Sequence, residues 1–410
     1  MTIALIAALD NKAADAAFLA SRLRAHGHDV AIVDVGVLGE PGLAPDVDRR
    51  QVAAAGGAEH AELVARGDRS VAIAVMAAGA TAVLAELHAR GRLTGALAIG
   101  GGAGTSIGAA ALRDLPLGLP KVILSTIAAA DSGRFVGTSD IVMFPSIVDF
   151  AGINRISAIT FGRAADALAG MVSGAAAERE RGGTPGAPLV AATMFGVTTP
   201  CVLRAKQRLE EAGCEVLIFH ATGAGGCMLE RLVADGLIDA VLDATTTEWA
   251  DEIVGGILSA GPHRLEAAAR AGVPQVVSLG ATDMGNFGPL GALPARYRDR
   301  LLYKHTPDST LLRVTAEEAS AIGAAIGGKL RAATGPATVL VPRRGVSALD
   351  DAGEAFDDPR ARVALSEAVR EQLRDSDVVF EEHDLHINDA AFADLLAERV
   401  LSELKATITV

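Results

Sequence analysis

The sequence predicts an α/β protein built as two Rossmann-like parallel-sheet subdomains with helices on both faces, joined by a short linker. Three observations carry this expectation. Residues 2–12 (TIALIAALDNK) parallel residues 188–200 (PLVAATMFGVTTP), and RLRAHGHDVAIVDVG from Arg22 aligns without a gap with RLEEAGCEVLIFHATG from Arg208. The strand-like runs are continuously apolar rather than alternating, and they take turns with helical stretches, as in parallel sheets covered on both sides. The chain also holds 45 glycines in 410 residues, well above the usual ~7% and without a collagen period, so glycine stands where backbone rather than side chain is needed.

In chain order, the opening apolar run is too short, and lacks the basic region, for a secretory signal, so it reads as the first strand. The helix behind it stops at Gly27 and its counterpart in the second half at Gly213, each a glycine suited to ending a helix. Residues 48–90 form an extra helical stretch without a counterpart, within which 71–85 (VAIAVMAAGATAVLA) read as a buried helix, too short and too alanine-rich to span a bilayer. ALAIGGG and PKVILST supply the third and fourth strands, matched by DAVLDATTT and PQVVSLG. The second half continues through PATVLVP, a helix near 361–374, SDVVFEEHD and a terminal helix after His386. Glycine, proline and charge cluster at 174–188 (GAAAERERGGTPGAP), which predicts a first domain at 1–173, a linker, and a second domain at 189–410.

Half of the residues are hydrophobic, 21% are charged and the net charge is −13, a composition of globular domains, about two to three by length. The acid excess and 3% aromatic content leave little to neutralise a phosphate backbone or stack on bases, so no nucleic-acid partner is expected. Cys201, Cys214 and Cys227 are odd in number and form no C-x-x-C pair. They read as buried apolar thiols of a cytoplasmic protein with no membrane partner.

Ligands of open α/β sheets bind beyond the carboxyl ends of the strands. In the first half those ends carry Asp10 and Lys12, Asp34 and Gly36, the run Gly100, Gly101, Gly102, Ala103, Gly104, Thr105 and Ser106, and Ser125 with Thr126. A strand that enters GGGAGTS and leaves as a helix gathers backbone N–H groups at a helix N-terminus, a phosphate cradle that needs no basic surface. Lys12 suits a phosphate, and Asp10 or Asp34 suits magnesium or a ribose hydroxyl. The loop does not match G-x-G-x-x-G. Residues 323–330 match G-x-x-x-x-G-K but continue with Leu330 inside a helix opened by the capping-box pattern at Thr315, so that match is set aside.

The corresponding ends of the second half present Thr198, Thr199, Gly225, Thr246, Glu248 and Asp283 as candidate substrate-binding residues, and His220, Arg344 and His386 as candidate catalytic ones. Hydroxyls with arginine and histidine suit a small oxyanionic substrate, arginine forking a carboxylate and histidine moving a proton. Asp140 joins the catalytic candidates from the polar stretch 133–157, which with Asp131, Asp149 and Asn154 reads equally as a site or a subunit contact. No metal-ligand spacing and no G-x-S-x-G elbow occurs.

Blocks along nearly the whole chain, among them ALDNKAADAAFL, IVDVGVLGEP, IGGGAGTS, VGTSDIVMFPSIVDFAGINRIS, ATMFGVTTPCV, IFHATGAGG, LDATTTEWADEIVGG and HINDAAFAD, resemble the Tm-one-like ATP-binding family. These are bacterial and fungal proteins related to the N-terminal ATP-binding domain of the tomato mosaic virus resistance inhibitor. Asn11 and Ala13 depart from the LDTKG expected in the first loop, and Ala103 stands where serine is common. The resemblance implies ATP binding, a two-subdomain α/β fold and a homodimer. With the residues above it leads to an ATP-dependent enzyme, taking magnesium with the nucleotide. Such an enzyme would phosphorylate or activate a small carboxylic or hydroxy acid in the cleft between the halves. A nucleotide-sensing interaction protein without turnover, or an NAD-dependent enzyme with Asp34 on the ribose, are the alternatives.

Overall fold

The computed structural model describes residues 2–129, 132–181 and 186–408; Asp131, one of the polar residues singled out above, lies outside them. The chain divides into two compact units, Met1–Thr184 and Pro185–Val410.

The first unit runs β1 Thr2–Ala7, α1 Ala13–Ala25, β2 Asp29–Asp34, α2 Arg49–Ala55, α3 His60–Arg66, α4 Arg69–Ala89, β3 Leu93–Gly100, α5 Gly102–Arg113, β4 Lys121–Ser125, α6 Gly133–Val136, β5 Val142–Pro145 and α7 Arg155–Arg181. Its five strands are all parallel in the order β2-β1-β3-β4-β5. Successive residues of β1 enter opposite cores: Ala4 and Ile6 pack with α4 and α5, while Ile3, Leu5 and Ala7 pack with α1 and α7. That division is why the strand is apolar throughout. Gly27, at φ +85°, ends α1 as predicted.

Two sequence expectations change here. The extra helical stretch 48–90 comprises three helices, divided at Gly56, Gly57 and Gly67. The helix read as buried, α4, buries only the face of Ala72, Met76, Gly79, Ala80 and Leu84. It meets α2 through glycines: a Cβ on Gly79 would lie 1.8 Å from the Val52 carbonyl oxygen and one on Gly56 2.1 Å from that of Val75. Among the described residues α4 is the one helix long and apolar enough to cross a membrane. The predicted linker is also shorter than expected, because α7 continues to Arg181. Alanine, glutamate and arginine in 175–181 favour helix despite their charge.

The second unit comprises β6 Leu189–Met194, α8 Thr199–Glu211, β7 Glu215–His220, α9 Ala224–Ala234, β8 Ala240–Thr245, α10 Glu248–Val254, α11 Ala267–Ala271 and β9 Gln275–Gly280, then β10 Met284–Phe287, β11 Leu302–Thr306, β12 Ser309–Arg313, α12 Ala316–Leu330, β13 Ala337–Pro342, α13 Pro359–Gln372, β14 Val379–His383 and α14 Ala390–Ile408. Six strands form a parallel sheet in the order β14-β13-β9-β8-β6-β7. Read from β7, its first four strands repeat the order of the first unit, so the internal resemblance is one of topology. A small antiparallel sheet, β10-β12-β11, is inserted after β9, which the sequence pattern did not predict. Thr315 caps α12 with the expected capping box to Glu318. The G-x-x-x-x-G-K match is a packing device: Cβ atoms on Gly323 and Gly327 would come within 2.3 Å and 2.7 Å of α13.

Candidate functional site

In a sheet of order 2-1-3-4-5 the topological switch point falls between the first and third strands. A cavity of about 470 Å³ opens there in the first unit. Asp10, Asn11 and Lys12 line it after β1, Val35 to Leu38 after β2, and Gly101 to Gly104 after β3. Leu63, Ala72 and Ile73 from α3 and α4 close its apolar side, so the helices special to this unit build one wall.

The glycine turn sorts into two functions. A Cβ on Gly100 would lie 2.8 Å from Gly104 Cα, one on Gly104 2.8 Å from the Ile99 carbonyl oxygen, and one on Gly108 2.3 Å from Ala98 Cβ. These three glycines let α5 sit against β3. A Cβ on Gly102 would meet nothing within 4 Å, and one on Gly101 only Thr126 Oγ1 at 3.4 Å, so these two face the cavity side. No side chain caps α5. The first amides of this helix lack intrahelical acceptors and point their dipoles outward, an arrangement suited to an anion.

Of the residues expected to hold a nucleotide, Asp10, Lys12, Gly36, Gly101, Gly102 and Gly104 line this cavity. Others stand behind it. Asp34 is buried, with Oδ1 accepting from the amides of Leu9 at 3.0 Å and Gly36 at 2.9 Å and Oδ2 accepting from Arg49 Nε at 2.7 Å. It braces the turn and is not a ribose ligand. Thr105 and Ser125, both fully buried, share a hydrogen bond of 2.7 Å between their hydroxyls and join α5 to β4. Ser106 donates to the Gly102 carbonyl oxygen and faces a neighbouring groove with Arg113 and Arg134, while Thr126 is exposed beside Gly101. Asp140 forms an ion pair with the buried Lys121 and accepts from the Gly118 amide at 2.8 Å, so it anchors β4 rather than performing chemistry at the cavity. Asn154 accepts from the amides of Ile156 and Ser157 at the start of α7, a local turn role.

Arg49 is the residue that sequence reasoning missed. Its side chain is 8% exposed, donates through Nη1 to the Leu38 and Gly39 carbonyl oxygens, and leaves Nη2 without a partner among the described residues. Asp10 Oδ1 is likewise buried and unpartnered, although Oδ2 accepts from the Leu38 amide at 3.2 Å. No spacing marks Arg49, because it meets Asp34 only once α2 folds back onto β2.

The second unit handles the same kinds of residue differently. Glu248 Oε1 accepts from the amides of Gly223 at 2.7 Å and Gly226 at 3.0 Å, filling the glycine turn before α9. Its Oε2 accepts from Arg264 Nε at 2.7 Å, and Arg264 grips Asp243 through two bonds of 2.6 and 2.7 Å. A Cβ on Gly225 would lie 1.9 Å from the His220 carbonyl oxygen, so that glycine serves packing. Thr198 bonds the Thr245 hydroxyl at 2.8 Å, Thr199 donates to the Phe195 carbonyl oxygen, and Thr246 donates to that of Ser278. These threonines tie strand ends together; Thr198 and Thr246 are fully buried.

The expected catalytic side chains of this unit do not form one centre. His386 receives the Asn388 amide on Nδ1 at 3.1 Å and faces the Ser347 carbonyl oxygen with Nε2 at 2.9 Å. Both nitrogens are engaged, with the proton on Nε2. His220 is exposed against Phe195, and Arg344 is in an exposed pair with Asp384 at 3.2 Å. Asp283 accepts from Ser347 Oγ at 2.9 Å, and burial followed by the nearby Asp350 charge pushes its carboxyl up to about 7. Burial likewise raises Asp251 to about 6 against the bonds it accepts from Asn286, and it raises Glu248. The Cys201 thiol is pushed up to about 12 by burial, as an inert core thiol should be. Among the described residues no group of three His, Cys, Asp or Glu is placed to hold a metal ion.

Comparison with known proteins places these two units together in other chains. The description "Uncharacterised protein family (UPF0261) N-terminal domain" matches residues 1–177, and that of its C-terminal domain matches residues 187–404. A UPF0261 protein of Clostridium tetani is 43% identical over 403 residues, spanning 98% of this chain and 99% of its own. One from Rhizobium meliloti is 44% identical over 393 residues, 96% of each chain. The ToMV resistance protein Tm-1 of Solanum lycopersicum is 42% identical over 335 residues, which cover 81% of this chain and 44% of the tomato protein. The chain therefore belongs to the UPF0261 family and carries both of its domains.

Proposed function

We propose that the first unit binds ATP, with the phosphates on the amides at the start of α5 and beside Lys12, and the base against Leu63, Ala72 and Ile73. The observation that carries this reading is the cavity at the β1/β3 switch point, where Gly101, Gly102 and the uncapped end of α5 meet a lysine. Backbone amides supply the anion contacts, which reconciles a polyanionic ligand with a net charge of −13. The sequence resemblance implies the same ligand. Magnesium enters with the nucleotide, and of the two aspartates that line the cavity Asp10 is the one suited to it, since Asp68 caps α4.

The fuller form of the proposal is an ATP-dependent enzyme that phosphorylates or activates a small carboxylic or hydroxy acid, working as a homodimer. Sensing without turnover is the second reading, favoured by one observation: Asp140, the expected catalytic side chain of this unit, is held by Lys121 and Gly118 and does not line the cavity. Incubation of ATP with pooled hydroxy and keto acids separates the two, since ADP, AMP or a phosphorylated product appears only with turnover.

Isothermal titration with ATP and magnesium tests binding itself. Gly102→Val projects into open space and keeps the fold, so it should lower affinity about 100-fold or more at unchanged thermal stability. No heat with the unmodified protein, or an unchanged affinity in the variant, overturns the assignment.

A further inference from the structure

A second groove, of about 400 Å³, opens along a neighbouring face of α5 and shares Gly102 with the larger cavity. Ser106 and Arg113 line it from α5 and Arg134 from α6. Among the described residues the lining holds two arginines and no acidic side chain, in a chain whose net charge is −13. A concave site of one sign on such a background concentrates anions.

Its polar groups suit one kind of anion. Arg113 Nη1 donates to the Arg134 carbonyl oxygen at 3.1 Å, which ties α6 to α5 beside the groove. The exposed Arg134 guanidinium lies over the Phe135 ring, 4.6 Å from its centroid, and no acceptor among the described residues meets it. Stacking sets the plane of the group and leaves its N–H edge for a planar partner with two oxygens. Ser106 has already given its proton to the Gly102 carbonyl oxygen at 2.9 Å, so its own oxygen offers lone pairs only. It meets the O–H of a ligand and repels a phosphate oxygen. Ala109, Ile127 and Phe135 supply the apolar part of the lining, which suits a carbon skeleton. Ser106 and Arg113 stand two helical turns apart on α5, about 10 Å before the reach of the arginine is subtracted, a span for an acid of a few carbons.

Resting on the reading that the nucleotide of this unit serves a small acid, we propose that this groove is the acid's site and that its ligand is a short-chain hydroxy acid. Arg134 forks the carboxylate, and the hydroxyl donates to Ser106 beside Gly102. The hydroxyl then stands where the groove and the larger cavity meet, next to the turn assigned to the phosphates. A keto acid or a simple carboxylic acid lacks the proton that Ser106 is set to accept.

Titration calorimetry with lactate and 3-hydroxybutyrate, and with propionate and butyrate as their hydroxyl-free counterparts, tests this without nucleotide and again with ADP and magnesium. At least one hydroxy acid should bind about 3- to 10-fold more tightly than its counterpart. Arg134→Gln, at an exposed position, should weaken that hydroxy acid about 10-fold or more and leave ATP affinity within about twofold. Ser106→Ala should abolish the preference for the hydroxyl while the carboxylate still binds. The proposal is overturned if none of these acids binds, if each hydroxy acid binds no better than its counterpart, or if Arg134→Gln leaves the affinity unchanged. A loss of ATP affinity in Arg134→Gln as large as that of the acid also overturns it, since a nucleotide phosphate would then occupy the groove. Binding of the acid without any binding of ATP overturns the nucleotide reading and leaves the groove assignment standing, so the two failures are distinct.

Discussion

Two glycine-rich turns in this molecule face the same electrostatic problem and solve it in opposite ways. At the start of α5 no side chain caps the helix, and Gly101 and Gly102 border a cavity. At the start of α9 the carboxylate of Glu248 occupies the amides of Gly223 and Gly226, itself held by a buried arginine. The second turn is complete within the chain; the first offers its donors outward. A glycine turn at a strand end is thus a capacity for anions rather than a binding site, and what fills it decides its use.

Arg264→Met leaves Asp243 and Glu248 buried against each other, and removal of one partner from such a network costs about 3–5 kcal/mol; thermal unfolding should show a fall of several degrees or failure to fold. ATP affinity should survive in whatever fraction folds, because the first turn does not depend on this network.

The other buried carboxyls of the second unit sharpen the contrast through pH. Asp251 is held by Asn286 rather than by an arginine, and burial lifts it from 3.8 to about 6. A carboxyl raised on folding stabilises the protein fully below about pH 4, and that contribution is lost as pH rises through about 6. The gap between 3.8 and about 6 corresponds to about 3 kcal/mol. Denaturant unfolding from pH 4 to 7 should therefore show a smaller decline with pH in Asp251→Asn than in the unmodified protein; an identical decline would remove Asp251 as its source.

Within the first turn, Gly104→Ala places a Cβ 2.8 Å from the Ile99 carbonyl oxygen and should cost about 1–3 kcal/mol of stability by overpacking. This separates it from the cavity-lining Gly102, whose valine variant should leave the melting temperature alone. Arg344→Ala removes an exposed ion pair and should change stability by less than about 1 kcal/mol, with no effect on ATP affinity.

Much of this architecture was legible in the sequence for a physical reason. Residues of β1 such as Leu5 and Ile6 enter two different cores, so the strand had to be apolar without alternation. Gly27 and Gly213 stand where glycine is favoured because both sit at positive φ, +85° and +90°. The glycine turn that leads from β3 into α5 was legible, but its division into packing glycines and cavity glycines was not, since that depends on how closely α5 approaches Ile99 and Ala98. Arg49 and Arg264 were invisible because their partners are brought to them by folding. The same process turned candidates into scaffold: Asp34, Ser125, Thr198 and His386 have the side chains of a site, yet their hydrogen bonds are already spent on neighbouring strand ends.

Amide hydrogen exchange with and without ATP and magnesium tests the comparison directly. Nucleotide should slow exchange in residues 101–104 and leave residues 223–226 unchanged, because Glu248 already holds the second turn. Protection at 223–226 without protection at 101–104 would contradict the account.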